Sequence, residues 1–140
     1  MGTKEIHLQL DFRSGLPIYI QIMEQIRAMV ASGELQVGDQ LPTVRQLATE
    51  LRINWNTVAR AYKLLDEAGL ISTQQGRGTY IWEAPSEQVT LQLRQQALEG
   101  LTRRYLADAA RLGSKPEEVS KVFERHVNLW TAGDTPDEEQ

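Results

Sequence analysis

The chain has 140 residues, of which 41% are hydrophobic and 24% charged, as in globular proteins, and this length suits one ordinary domain or two small ones. It contains no cysteine, which excludes disulfide scaffolds, thiolate metal sites and cysteine nucleophiles. The formal net charge is −4, but residues 83–140 hold seven Lys and Arg against eleven Asp and Glu, so residues 1–82 are neutral.

Apolar runs are only a few residues long, and the N-terminus lacks a basic stretch followed by an apolar core. We therefore expect no membrane span, no secretory signal and no transit peptide. These features predict a cytoplasmic protein without a membrane partner.

The first predicted elements are a short strand or arm and a helix. Apolar and polar residues alternate over residues 6–12, which is typical of a strand. Pro17 then opens a helix that Gly33 closes. One buried stripe of this helix is expected, spaced at three and four residues: Ile18, Ile22, Ile26, Met29 and Val30.

Two further helices are predicted on either side of a tight turn. Thr43 and Gln46 form a capping box at the start of the first, and Asn54 is a suitable N-cap for the second, which runs to about Ala68. Because only two residues separate the first helix from Asn54, the pattern predicts a helix-turn-helix.

A β-hairpin is predicted directly after this motif. Residues 72–75 and 79–82 favour strands, and Gly76, Arg77 and Gly78 form the turn between them. A hairpin in this position is a wing. We therefore expect a mainly α fold with a small β wing, in which residues 15–83 form a winged helix-turn-helix.

Residues 84–133 predict a tail of two helices, followed by a disordered acidic end at residues 134–140. Ser86 is a suitable N-cap for a helix to about Leu112, and Ser114 with Glu117 forms a capping box for the last helix. The apolar rows of the tail could form an intramolecular core, but two helices cannot bury both rows alone. Dimerisation is therefore expected through these residues: Leu91, Leu98, Leu101, Tyr105, Leu112, Phe123 and Trp130.

No catalytic or metal-binding constellation is found in the sequence. His126 lies on the apolar stripe of the last helix without a second histidine nearby, so we expect a packed core histidine rather than a metal or effector ligand. Neither a Ser/His/Asp set nor a phosphate-binding glycine loop before a helix occurs. The chain is therefore expected to have no cofactor and no enzymatic activity.

A local basic face is available in the predicted helix-turn-helix and wing. Residues 42–63 together with 71–82 hold five Lys and Arg against Glu50 alone. In a helix-turn-helix the second helix enters the major groove by its N-terminal end, while the first crosses the phosphates. The candidate DNA-binding residues are Arg45, Asn54, Trp55, Asn56, Thr57, Arg60, Lys63, Gly76, Arg77 and Gly78.

Each of these residues has a non-functional alternative. Asn56 is the favoured base reader, because an amide can pair with adenine through two hydrogen bonds, whereas Asn54 is needed as an N-cap in any case. Trp55 can pack against Tyr62 or contact DNA. The basic residues can contact phosphates or form a solvated charged face. The two glycines around Arg77 fit close approach to a minor groove, but also a plain hairpin turn.

Residues 33–48, GELQVGDQLPTVRQLA, resemble the GntR family of bacterial regulators. The resemblance continues through residues 56–58, 60–62, 64–71 and 76–81, and it covers about residues 10–82. The opening residues 10–14, 17–19 and 21–22, the Ile53-Asn54 turn and the short helical tail are similar to the YtrA subfamily. This resemblance implies a homodimeric repressor on a double-stranded DNA operator with two-fold symmetry, often controlling neighbouring ATP-binding-cassette transporter genes.

The sequence departs from the family pattern at two positions of the recognition helix. Trp55 stands where the subfamily commonly has Pro and the wider family Arg, and Ala59 stands where Arg is often found. An Arg could bond two acceptors of a guanine, whereas Trp offers one donor and an apolar face. We therefore expect an altered operator and fewer base-reading side chains.

Two other functions compete with this interpretation. The neutral charge of the head favours a winged-helix module that binds protein rather than DNA. An enzyme remnant is a weaker alternative, because the tail is far too short for the aminotransferase-like domain found in some family members. No small-molecule effector is identified; if one exists, we expect it at the dimer interface or between head and tail.

Overall fold

The computed structural model describes residues 2–137. Within this range the order of elements confirms a mainly α fold with a small β wing. In chain order the elements are α1 (Ile18–Ser32), β1 (Gln40–Leu41), α2 (Val44–Leu51), α3 (Trp55–Glu67), β2 (Ile71–Gln74), β3 (Gly78–Ile81), α4 (Glu87–Arg111) and α5 (Pro116–Thr131).

Of the two alternatives expected for residues 6–12, a short strand or an arm, the structure has the arm, because no strand ladder forms there. Its backbone is held instead by single contacts. The N–H of Lys4 donates to the carbonyl of Gln40 at 2.7 Å. The side chain of Gln25 accepts from the N–H of Gln9 at 2.9 Å and donates to its carbonyl at 2.7 Å. The alternating pattern therefore marks an extended segment whose hydrogen bonds go largely to a side chain.

Helix α1 is buried over more than the single stripe expected, since residues 19–23 are all buried. One cause is the arm, which covers the side of α1 that carries Gln21. The Gln21 side chain accepts from the N–H of Asp11 and donates to the carbonyls of Asp11 and Leu16, each at 2.8 Å. A polar residue can therefore lie in the core because its amide is fully engaged.

The helix-turn-helix forms as predicted. Thr43 Oγ1 accepts from the N–H of Gln46 at 3.1 Å, and Gln46 Oε1 accepts from the N–H of Thr43 at 2.9 Å, which confirms the capping box. Arg52 closes α2 in the left-handed conformation with φ 55°. The face predicted to point inward from α3 is buried throughout: Val58, Ala61, Tyr62, Leu65 and Ala68.

The sheet has the strand order β1-β3-β2, and both pairings are antiparallel. The β2–β3 hairpin is the predicted wing, with Ile71 opposite Ile81 and Gln74 opposite Gly78. Strand β1 is only two residues long and was not expected from the sequence; Gln40 pairs with Tyr80 and Leu41 with Thr79. This strand ties the segment before α2 to the wing.

The structure divides into two compact units, residues 1–101 and 102–140, and the division falls within α4. Ser86 Oγ accepts from the N–H of Val89 at 3.1 Å, which confirms the predicted N-cap of α4. Val89 and Leu93 then join the core of the first unit, and Ala97 packs against it. The compact unit that contains the wing therefore extends beyond residue 83, the predicted end of the head.

The second unit contains the end of α4 and all of α5. Tyr105 and Phe123 are in contact, with ring centroids 6.1 Å apart, and no residue of α5 is buried. The capping box predicted from Ser114 and Glu117 is wrong by one position. Lys115 is the N-cap of α5, and its N–H donates to Glu118 Oε1 at 3.3 Å, because Pro116 occupies the first helical position.

Several expectations concern exposure in the tail. His126 is exposed, so the prediction of a packed core histidine is wrong. Residues 134–137 are exposed and outside any helix or strand, while residues 138–140 of the predicted disordered end lie outside the described residues. Among residues 2–137, no helix has the length and apolar character needed to cross a membrane.

Candidate nucleic-acid interface

The N-terminal end of α3, its leading end, is exposed, and its backbone is capped by a side chain. Asn54 Oδ1 accepts from the N–H of Asn56 at 2.7 Å, so the Asn54 side chain carries out the N-cap role that the sequence offered as its alternative. The side chains of Asn54, Trp55 and Asn56 are exposed, and Thr57 is half-buried. The cap uses only the backbone N–H of Asn56. The side-chain amide of Asn56 is left facing solvent at the end of the helix that would enter a groove.

Trp55 is 50% exposed, so it is accessible rather than a core residue. It lines a shallow cleft together with Arg45, Arg52 and Ile53. The structure therefore brings Arg45 and Trp55 together, and it adds Arg52, which sequence analysis used only for the charge balance. The sequence feature that could have identified Arg52 is its position in the two-residue turn between α2 and the N-cap of α3.

The start of α2 is anchored to α3 through Tyr62. Its hydroxyl donates to the carbonyl of Pro42 at 2.7 Å, one residue before the Thr43 cap. Burial, with a smaller contribution from the charge of Glu50, raises the pKa of Tyr62, so the phenol stays protonated and keeps its donor role. The exposed Arg45 therefore projects from a helix start whose position relative to α3 is fixed.

Arg60 and Lys63 are both exposed on α3, but their surroundings differ. The guanidinium carbon of Arg60 lies 4.0 Å from the centroid of the Tyr19 ring, within the range of a cation–π interaction. Lys63 lines a shallow cleft that also includes Thr73 of β2. Arg60 is therefore held on an aromatic platform, which the helical pattern of α3 alone did not indicate.

The wing presents Arg77 from a fixed turn. Gly76 and Gly78 have φ of 78° and 118°, and a Cβ at Gly78 would overlap the side chain of Gln40. The carbonyl of Arg77 accepts from Gln40 Nε2 at 3.1 Å and from the Tyr80 hydroxyl at 2.9 Å, while the Arg77 side chain is exposed. Gln40 and Tyr80 were missed by sequence analysis, since Gln40 lies 37 residues from Arg77 along the chain.

The exposed groups on these elements are suited to binding a polyanion. The guanidinium groups can bond phosphates or guanine edges, and the amide of Asn56 can pair with a base. Within residues 2–137, no group of three or more His, Cys, Asp or Glu residues is placed to hold a metal ion.

Comparison with protein families agrees with this geometry. The family model described as "Bacterial regulatory proteins, gntR family" matches residues 18–81, from α1 to the end of the wing. The HTH-type transcriptional repressor YtrA of Bacillus subtilis is 50% identical over 76 residues, which are 54% of this chain and 58% of that protein. The HTH-type regulator YhcF of the same organism is 36% identical over 67% of this chain and 79% of its own length.

A solved structure extends the likeness to the arrangement of the elements. The GntR-family transcription factor YtrA from Sulfolobus acidocaldarius is 30% identical, with a TM-score of 0.51 over 87% of this chain and 97% of that one. The winged-helix fold of this chain therefore matches that of a solved GntR-family structure. The chain therefore belongs to the GntR family of bacterial regulatory proteins, a family of transcription regulators rather than enzymes, and resembles its YtrA members.

Proposed function

We propose that this protein is a sequence-specific DNA-binding regulator that acts as a homodimeric repressor on an operator with two-fold symmetry. The observation that carries the proposal is the exposed leading end of α3, positioned by the Asn54 cap and by the hydrogen bond between Tyr62 and Pro42. As the resemblance to the YtrA subfamily implies, its targets are its own operon and neighbouring transporter genes. It acts in the cytoplasm, where bacterial DNA lies.

The DNA face consists of the start of α2, the exposed side of α3 and the wing tip, and each of these elements has a separate role in this proposal. The leading end of α3 enters the major groove, where Asn56 reads a base and Trp55 presents an apolar face to a thymine methyl group. Arg45 at the start of α2 contacts phosphates, and so do Arg60 and Lys63. Arg77 reaches a minor groove from the wing tip, because a narrow minor groove attracts arginine. Two-fold symmetry requires that a second chain present the same face.

The exposed apolar residues of α4 and α5 support dimerisation. Helix α5 buries none of its residues, although Phe123 and Trp130 are 53% and 58% exposed. Leu91 and Leu101 of α4 are likewise exposed, by 47% and 37%, and so is Leu112 directly after α4, by 85%. Covering these side chains with a second copy would stabilise the dimer by about 25 cal/mol for each Å² of apolar area removed from water. The proposed interface consists of Leu91, Leu98, Leu101, Tyr105, Leu112, Phe123 and Trp130, all of which are exposed.

Loss of a single arginine on the DNA face is expected to weaken binding without affecting assembly. Arg45→Ala and Arg77→Ala should each weaken operator binding by about 1–3 kcal/mol, because each removes a phosphate or base contact. Fluorescence anisotropy with operator DNA measures this loss, and sedimentation should show an unchanged dimer. Arg125→Ala, which removes the same charge from exposed α5, is the matched control and should bind like the wild type. Unchanged binding by both wing and α2 variants would reject the assigned roles.

Salt dependence separates DNA binding from the competing role of a protein-interaction module. A protein that neutralises phosphates releases counterions, so the logarithm of its affinity falls linearly with the logarithm of salt concentration. We therefore expect steep salt dependence when the protein is titrated against the DNA upstream of its own gene. Absent binding, or affinity that does not change with salt, would contradict the proposed function.

A further inference from the structure

Tyr19 of α1 lies between the recognition helix α3 and helix α4. Its side chain is 7% exposed, and one face of its ring carries the guanidinium of Arg60. Its hydroxyl points at Gly100, a buried glycine of α4. All three residues belong to the first compact unit. One aromatic ring therefore connects a candidate DNA-contacting residue with the helix that carries Leu91 of the proposed dimer interface.

Gly100 stands in the interior of α4, where glycine is unfavourable compared with alanine. Its φ is not in the left-handed region, so the backbone conformation does not require glycine. The lack of space does require glycine, because a Cβ at this position would overlap Tyr19 Oη and would lie 3.0 Å from Tyr19 Cζ and 3.2 Å from Ile20 Cδ1. The missing side chain is therefore what allows α4 to approach Tyr19.

The position of the ring matters to Arg60 because a cation–π contact depends on the guanidinium lying over the ring face. Arg60 is otherwise a long, exposed side chain with several rotamers. Holding it on the ring reduces the conformational entropy that it must lose when it binds a phosphate or a base. A displaced ring would leave Arg60 disordered, although its charge would remain.

We propose that Tyr19 positions Arg60 for DNA, and that the close approach of α4 at Gly100 holds the Tyr19 ring in place. This inference rests on the proposed function, because it assigns the binding of DNA to the surface that includes Arg60. It makes Tyr19 and Gly100 positioning residues that touch no DNA themselves. The packing of α4 thereby sets the affinity of the recognition helix.

The test uses three variants of the full chain: Gly100→Ala, Tyr19→Phe and the double variant. Gly100→Ala should weaken operator binding between about two- and twelvefold, the range that corresponds to ordering one long side chain on binding. Tyr19→Phe keeps the ring and should bind like the wild type. The double variant removes the hydroxyl that the added methyl group would meet, so it should recover most of the lost affinity.

A second measurement follows Arg60 without DNA. A guanidinium held over an aromatic ring has an Nε–H resonance shifted upfield by the ring current. This shift should be present in the wild type and Tyr19→Phe, lost in Gly100→Ala and restored in the double variant. If Gly100→Ala fails to fold, Tyr19→Leu removes the platform without added bulk and should lose both the shift and the affinity.

The outcomes separate this inference from the proposed function. Wild-type affinity in Gly100→Ala, an unchanged Arg60 shift in that variant, or a double variant that recovers neither property would overturn the positioning role. If the wild type itself binds no operator DNA, the proposed function fails, and the role assigned to Tyr19 in DNA binding fails with it. In that case the Arg60 resonance still reports whether Gly100 sets the position of the ring.

Discussion

Trp130→Glu is expected to convert the protein from a dimer into a monomer and to lower operator affinity about a hundredfold or more. Trp130 is 58% exposed on α5, so in the single chain the replacement gives up little buried area. In the proposed dimer it would bury an unpaired carboxylate against apolar side chains, which is strongly unfavourable. Affinity falls because one DNA face replaces two linked ones, and linkage typically contributes factors of 10² to 10⁴.

Sedimentation velocity at micromolar protein measures the change of state, and titration against the full operator measures the change in affinity. Asn128→Glu is the matched control, since it introduces the same charge in the same last turn of α5, at another exposed position. Both variants therefore bear the same unfavourable interaction with the helix dipole. Dimers of equal stability in the two variants would show that the apolar surface around Trp130 is not an interface.

Leu47→Ala is expected to lower the free energy of unfolding by about 2–5 kcal/mol, the usual cost of removing a large side chain from a core. Leu47 is fully buried on the inward face of α2, in the same core as Val58 and Leu65 of α3. The loss is a large part of a typical total stability of about 5–15 kcal/mol. The substitution should also weaken DNA binding, since these contacts fix the angle between α2 and α3.

Urea denaturation at a fixed protein concentration measures this effect, because the stability of the proposed dimer would depend on protein concentration. Thr49→Ala, an exposed position of the same helix, should leave the midpoint nearly unchanged. Equal midpoints for Leu47→Ala and Thr49→Ala would show that Leu47 does not contribute to the core as the structure indicates.

Local signals account for the parts of the fold that sequence analysis predicted well. The Thr43 capping box, the Asn54 cap and the Ser86 cap each involve a side chain and a backbone N–H two or three residues away. Such contacts are specified by neighbouring residue types, and the helices between them carry a clear apolar period. The same kind of signal was misread at Ser114, because Pro116 in the first helical position moves the cap to Lys115.

Contacts between distant segments account for what was missed at the candidate interface. Gln40 fixes the wing tip from 37 residues away, and Tyr19 supports Arg60 from another helix. The choice between a strand and an arm at residues 6–12, which the sequence left open, shows the same limitation. Alternation predicts an extended chain, but a strand also requires a partner that continues the ladder, and the side chain of Gln25 takes that place.

The sequence by itself determined the winged helix-turn-helix, its caps, and which residues of α3 point outward, since these follow from helical period and short-range hydrogen bonds. Only the tertiary structure decided how the apolar rows of α4 are used. Leu93 is buried with the first unit and Ala97 packs against its core, whereas Leu91 and Leu98 stay exposed. A period identifies apolar faces, but the surface that covers each face is set by elements far away in the chain.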